Sequence, residues 1–166
     1  MTESKQILWQ NGTLNILLVV GIDGIVRISS ILPHGTLAET RPQNGSSVPL
    51  FGVRLSGEGT QKNKSSKSQI GSYVSSRLKY QSHNEQSQTN SMTLRVTSYD
   101  EISKISVTAH FIVFPGIPVL RSYMTICNES NENVVVSQLS SLIVGGLGEK
   151  PTSCWLDCTL SAPTNT

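Results

Sequence analysis

Apolar and polar residues alternate with a period of two along most of this chain. Met92, Leu94 and Val96 alternate with Thr93, Arg95 and Thr97. Ile105, Val107, Ala109, Phe111 and Val113 form one stripe, with Ser106, Thr108 and His110 on the other side until Ile112 and Phe114 make both faces apolar. Leu120, Met124 and Ile126 oppose Arg121, Tyr123 and Thr125, and Leu14, Ile16, Leu18 and Val20 make a further stripe. Successive side chains of a strand point to opposite faces, so this pattern predicts half-buried β-strands. The frequent β-branched residues suit a pleated surface.

The punctuation predicts short antiparallel connections. Asn11-Gly12 separates residues 7–10 from 13–20, and Asp23-Gly24 separates that strand from 25–32. Both dipeptides tolerate the positive φ of tight hairpin turns. Pro115-Gly116-Ile117-Pro118 divides strands over 103–114 and 119–128, and Ser130-Asn131-Glu132-Asn133 precedes another over 134–144. Such connections give a meander rather than parallel crossovers. Residues 33–49 and 56–69 read as long loops, and the polar stretch 82–91 as a hairpin tip; no amphipathic helix is expected. Eight or more strands in 166 residues predict one all-β domain, an antiparallel β-sandwich of two sheets face to face.

Composition narrows the function classes. Only 14% of residues are charged and the net charge is +2, which gives no electrostatic case for nucleic acid or an anionic membrane as partner. No apolar run reaches the length of a membrane-spanning helix. Leu14 to Val20 is too short, and too interrupted by Asn11-Gly12 and Asn15, to read as a secretory leader, so the cytoplasm is favoured over secretion. Glycosylation sequons at Asn11, Asn44, Asn63 and Asn128 do not by themselves establish secretion.

The chemistry-bearing residues form no convincing catalytic set. Cys154 and Cys158 are spaced C-x₃-C, but a structural zinc needs two further ligands, and neither Cys127 nor His34, His83 or His110 lies beside them. Gly57-Glu58-Gly59 lacks the third glycine and the helix of a phosphate loop. Lys62, Lys64 and Lys67 have no interleaved aromatic for stacking bases. No Gly-x-Ser-x-Gly elbow occurs, and no carboxylate pair can be nominated for glycoside hydrolysis. No cofactor, no metal and no catalytic residue is therefore expected within this chain.

Several stretches are familiar together, and two of them, residues 77–83 and 115–122, are specific in combination. Val53-Arg54-Leu55-Ser56-Gly57-Glu58-Gly59 is followed by Ser72-Tyr73 and by Arg77-Leu78-Lys79-Tyr80-Gln81-Ser82-His83. The strand Thr93-Leu94-Arg95-Val96-Thr97 comes next, and then Phe114-Pro115-Gly116-Ile117-Pro118-Val119-Leu120-Arg121-Ser122. Over about residues 7 to 166 this resembles the N-terminal domain of glycoside hydrolase family 36 α-galactosidases, the fungal ones above all. Val19-Val20-Gly21 stands where that family often carries an aromatic residue before glycine.

The resemblance implies a β-supersandwich over residues 1–150, with 151–166 as the start of a link toward a catalytic barrel that this chain lacks. In the family that barrel hydrolyses terminal α-galactosides with retention, so an α-galactoside would be a partner only through it. The expected role here is non-catalytic: packing against the barrel, assembly into homo-oligomers, and loops rimming the active site. By matching motif, Arg77, Tyr80 and His83 are the candidate sugar-rim or barrel-packing residues, with Trp155 and Asp157 at the barrel approach. The alternative is a stand-alone carbohydrate-binding β-sandwich, whose aromatic platform would draw on Trp9, Tyr73, Tyr80 or Trp155.

Overall fold

A computed structural model describes residues 4–35, 48–60 and 71–144. Among these described residues nine strands and one short helix follow in the order β1 (Lys5–Gln10), β2 (Leu14–Val20), β3 (Val26–Pro33), β4 (Val53–Leu55), α1 (Tyr73–Arg77), β5 (Lys79–Gln88), β6 (Ser91–Asp100), β7 (Ile105–Phe114), β8 (Ile117–Asn128) and β9 (Val136–Leu139). They form antiparallel sheets of three strands (β1-β2-β3), four strands (β5-β6-β7-β8) and two strands (β4-β9). The chain is all-β, as the alternation predicts.

One apolar core joins the sheets. Ile7 and Trp9 of β1, Ile16 and Leu18 of β2 and Val26 and Ile28 of β3 cluster with Leu94 and Val96 of β6 and with Ile105, Val107, Ala109, Phe111 and Val113 of β7. Val53 and Leu55 of β4, Val74 of α1 and Leu50, Phe51 and Leu78 of the connecting segments also belong to it. The predicted stripes are thus the inward faces of two packed sheets. β2 departs from alternation: Leu17 is buried as well as Ile16 and Leu18, so both faces of this central strand are covered there.

The hairpins are set by local chemistry. Asn11 Oδ1 accepts the N–H groups of Thr13 (3.1 Å) and Leu14 (2.9 Å), while Gly12 takes φ +78°. Gly24, at φ +75°, turns β2 into β3, and Arg27 clamps the turn by donating to both carboxylate oxygens of Asp23 at 3.0 and 2.7 Å. The hydrogen bond from Arg27 is the main reason the Asp23 carboxyl lies below its ordinary range. Gly116, at φ +75°, makes the tight turn between β7 and β8.

Three expectations need correction. Residues 82–88 are not a loose tip: they continue β5, and only Thr89 and Asn90 turn. β6 supplies a full ladder for them, which outweighs their low intrinsic strand preference. A short helix, α1, does form; the Ser72 side chain caps it by accepting the Ser75 N–H at 3.0 Å, and its five residues are too few to show periodicity. The meander is also incomplete, since β4 pairs with the distant β9, in the register Val53↔Leu139 and Arg54↔Gln138.

Candidate functional site

The motif that carries the resemblance, from Arg77 to His83, lies where α1 runs into β5. Leu78 ends the helix by donating its N–H to the Val74 carbonyl and buries its side chain in the core. Tyr80 donates its N–H to the Gly24 carbonyl at 2.8 Å, which ties β5 to the turn of the other sheet. Lys79 Nζ reinforces the junction by donating to the Asp23 carbonyl at 2.6 Å. The motif therefore forms a seam between the two large sheets.

Arg77 is spent internally. Its Nε and Nη2 donate to Asp100 at 3.1 and 2.9 Å, and its Nη1 and Nη2 donate to Glu58 at 3.1 and 2.8 Å. Asp100 is 1% exposed at the end of β6 and also accepts the Ser103 hydroxyl at 2.6 Å. Burial pushes its carboxyl up, but the bonds from Arg77 and Ser103 outweigh that and hold it below the ordinary carboxylate range. The same two carboxylates, Glu58 first, hold the Arg77 guanidinium firmly protonated. This clasp joins the segment after β4, the end of α1 and the turn between β6 and β7.

Tyr80 and His83 come together at the exposed end of the seam. Tyr80 Oη and His83 Nδ1 are 2.7 Å apart, and Lys5 Nζ reaches Tyr80 Oη at 3.1 Å while lying 4.8 Å from the ring centre. A register shift between Tyr80 and Ser82 puts both side chains on the inward side of the sheet, opposite Ser98 and Val96. Arg77, pointing into its clasp, forms no part of this group. Trp155 and Asp157 lie outside the described residues. Of the other aromatic candidates, Tyr73 is exposed, but Trp9 is 2% exposed and belongs to the core, so no ligand can stack on it.

A second polar constellation lies on the outer face of the four-stranded sheet. Register places Asn84, Arg95, His110 and Tyr123 in one row across β5 to β8, and Ser82, Thr97, Thr108 and Thr125 in the next. The His110 and Tyr123 rings stack with centres 4.4 Å apart, and His110 Nε2 lies 3.0 Å from Thr125 Oγ1. Burial, and then the charge of Arg95, push the His110 imidazole below its ordinary pKa. The alternation of residues 105–113 marks His110 as outward, but its pairing with Tyr123 depends on the β7–β8 register. A third feature, an open depression of about 580 Å³, lies between the β6–β7 turn at Ser103 and Lys104 and the turn at Glu129 to Asn133. No group of three or more His, Cys, Asp or Glu side chains suited to a metal ion occurs among the described residues.

No known protein-family profile matches the chain, and no curated protein matches it.

Proposed function

We propose that this chain is a non-catalytic, α-galactosidase-like N-terminal β-sandwich that works by packing against a larger body. The observation that carries the reading is a set of apolar side chains left in solvent in and beside β8 and β9: Ile117, Val119, Val135, Val136 and Leu142, of which Val135 is 65% exposed. Exposed apolar surface of this kind marks surfaces that another body covers. The resemblance of residues 77–83 and 114–122 to family 36 α-galactosidases supplies the identity of that body, a catalytic barrel. In this reading the Arg77 clasp stiffens the seam, and Tyr80 and His83 form its exposed end.

Two measurements test it. The transcript, read on from the Thr166 codon, is expected to continue in frame into a barrel carrying two catalytic aspartates. The purified chain is expected to leave a chromogenic α-galactoside intact; turnover would overturn the non-catalytic assignment.

The outer face of the four-stranded sheet favours one second reading, a carbohydrate-binding module. Its rows of hydroxyls, Asn84, Arg95 and the His110–Tyr123 stack offer hydrogen-bonding groups beside aromatic surface. A galactose titration followed by ¹H–¹⁵N NMR should move the amides of Arg95, His110 and Tyr123 in this reading. Trp9 fluorescence would stay constant whether or not sugar binds there, since that ring is internal.

A further inference from the structure

Among the described residues β5 presents a long open edge. It lies at the margin of its sheet, and residues 81–88 are exposed. Gln88 and Ser91 pair across a two-residue turn, so they form the closing hydrogen-bonded pair of the hairpin. Counting back along the ladder, the backbone N–H and C=O groups of His83, Glu85 and Ser87 point away from β6. Other margins are shorter, occupied or protected: β1 has six residues, β3 receives the Leu50 N–H at Val26, and β8, the longer opposite margin, carries Pro118 with a register shift beside it. From Ser82 to Gln88 β5 has no proline, lysine or bulge, the usual devices that protect an edge.

We propose that this edge is a self-association surface, on which β5 of a second copy of the chain adds antiparallel to β5 and makes one eight-stranded sheet. The inference does not rest on the galactosidase reading. Charge selects the register. Centring the two-fold axis on Glu85 would set two carboxylates directly opposite each other. Centring it on Gln86 would push His83 against the hairpin turn. Centring it on Asn84 sets His83 opposite the partner subunit's Glu85, and Glu85 opposite the partner subunit's His83. Both residues have outward backbone groups, so the two pairs exchange four main-chain hydrogen bonds. The remaining side chains, Ser82, Gln86 and Ser87, are uncharged and compatible with an antiparallel neighbour.

Sedimentation equilibrium of the full chain should show a concentration-dependent monomer–dimer equilibrium. His83→Glu should weaken it about tenfold by opposing like charges twice, and the double exchange His83→Glu with Glu85→His should restore it. Glu85→Pro removes an outward N–H without touching the β6 ladder and should give a monomer. In a background with Cys127, Cys154 and Cys158 changed to serine, Asn84→Cys should link to its own copy on oxidation, because directly opposed residues of a non-hydrogen-bonded pair lie about 4.5 Å apart at Cα. The cross-link also decides the matter should the proline variant fail to fold. A wild-type chain that stays monomeric up to about 1 mM would overturn the proposal. So would an Asn84→Cys chain that does not link, or a dimer that His83→Glu leaves unchanged.

Discussion

Tyr80 and His83 share one face of β5 only because the strand bulges between them. Residues three apart on a regular strand point to opposite sides. Here the register slips between Tyr80 and Ser82, so that Tyr80 opposes Ser98 and His83 opposes Val96, and the Tyr80 hydroxyl meets the imidazole at 2.7 Å. Deleting Gln81 should remove the bulge and leave a regular ladder in which Tyr80 still opposes Ser98 and His83 still opposes Val96, now two positions apart, so that the rings stay on one face. A persisting NOE between the Tyr80 and His83 rings is the expected outcome; its loss would show that the β5–β6 register had slipped instead.

The two polar groups of the seam should differ sharply in energetic weight. Asp100→Ala removes one of the two carboxylates that hold Arg77, and the acceptor for Ser103, while Glu58 remains; it should destabilise the fold by about 1–3 kcal/mol, as leaving buried donors unpaired does. Tyr80→Phe removes only exposed hydrogen bonds and should stay within about 0.5 kcal/mol. Urea unfolding of the two variants gives the comparison directly.

Acid should act through the same clasp. Asp100 titrates lower in the fold than in the unfolded chain, whose carboxyl has a pKa of about 3.9. The unfolded state therefore takes up its proton first as pH falls. The stability from this group is complete above about pH 4 and is lost as pH drops through the folded value. Asp100→Asn should lower stability at neutral pH and flatten the decline below about pH 4 in a series of unfolding curves.

His110 adds a second pH dependence nearer neutrality. Its folded pKa is depressed, first by burial and then by Arg95, against about 6.5 when unfolded. Its neighbours on the face are Arg95, Tyr123 and Thr125, none of them a carboxylate. Protonation therefore favours unfolding, and stability should fall as pH drops below about 6.5. His110→Gln should remove that part of the slope and leave the Asp100 part in place.

Trp9 supplies a spectroscopic check on the core. With its ring buried against both sheets, its emission should be blue-shifted and poorly quenched by iodide. Trp9→Ala should cost about 3–5 kcal/mol, as loss of a buried aromatic does.

Much of this architecture was legible in the residues. The stripes from Leu94 to Val96 and from Ile105 to Val113 are the core faces found, and Asn11-Gly12, Asp23-Gly24 and Pro115-Gly116 sit at turns. What escaped depends on pairing partners. Residues 82–88 hold no apolar side chain to show a period, and only the facing β6 makes them a strand. Trp9 alternates with Leu8, and nothing local says which of the two faces inward. The Arg77 clasp draws its carboxylates from residues 19 and 23 positions away. Such separations leave no mark in a linear reading.

β2 carries a consequence for handling the protein. Its sequence, LNILLVV, has no charge and no proline, and it is shielded only while β1 and β3 flank it and the second sheet covers it. Once the fold opens, those seven residues become a strand template of the kind that stacks between chains. Chains released by heating should then precipitate faster than they refold, so that the temperature of clouding will follow the heating rate rather than an equilibrium. A lysine at Val19, the one β2 residue that is not fully buried, should raise the yield of soluble protein on cooling.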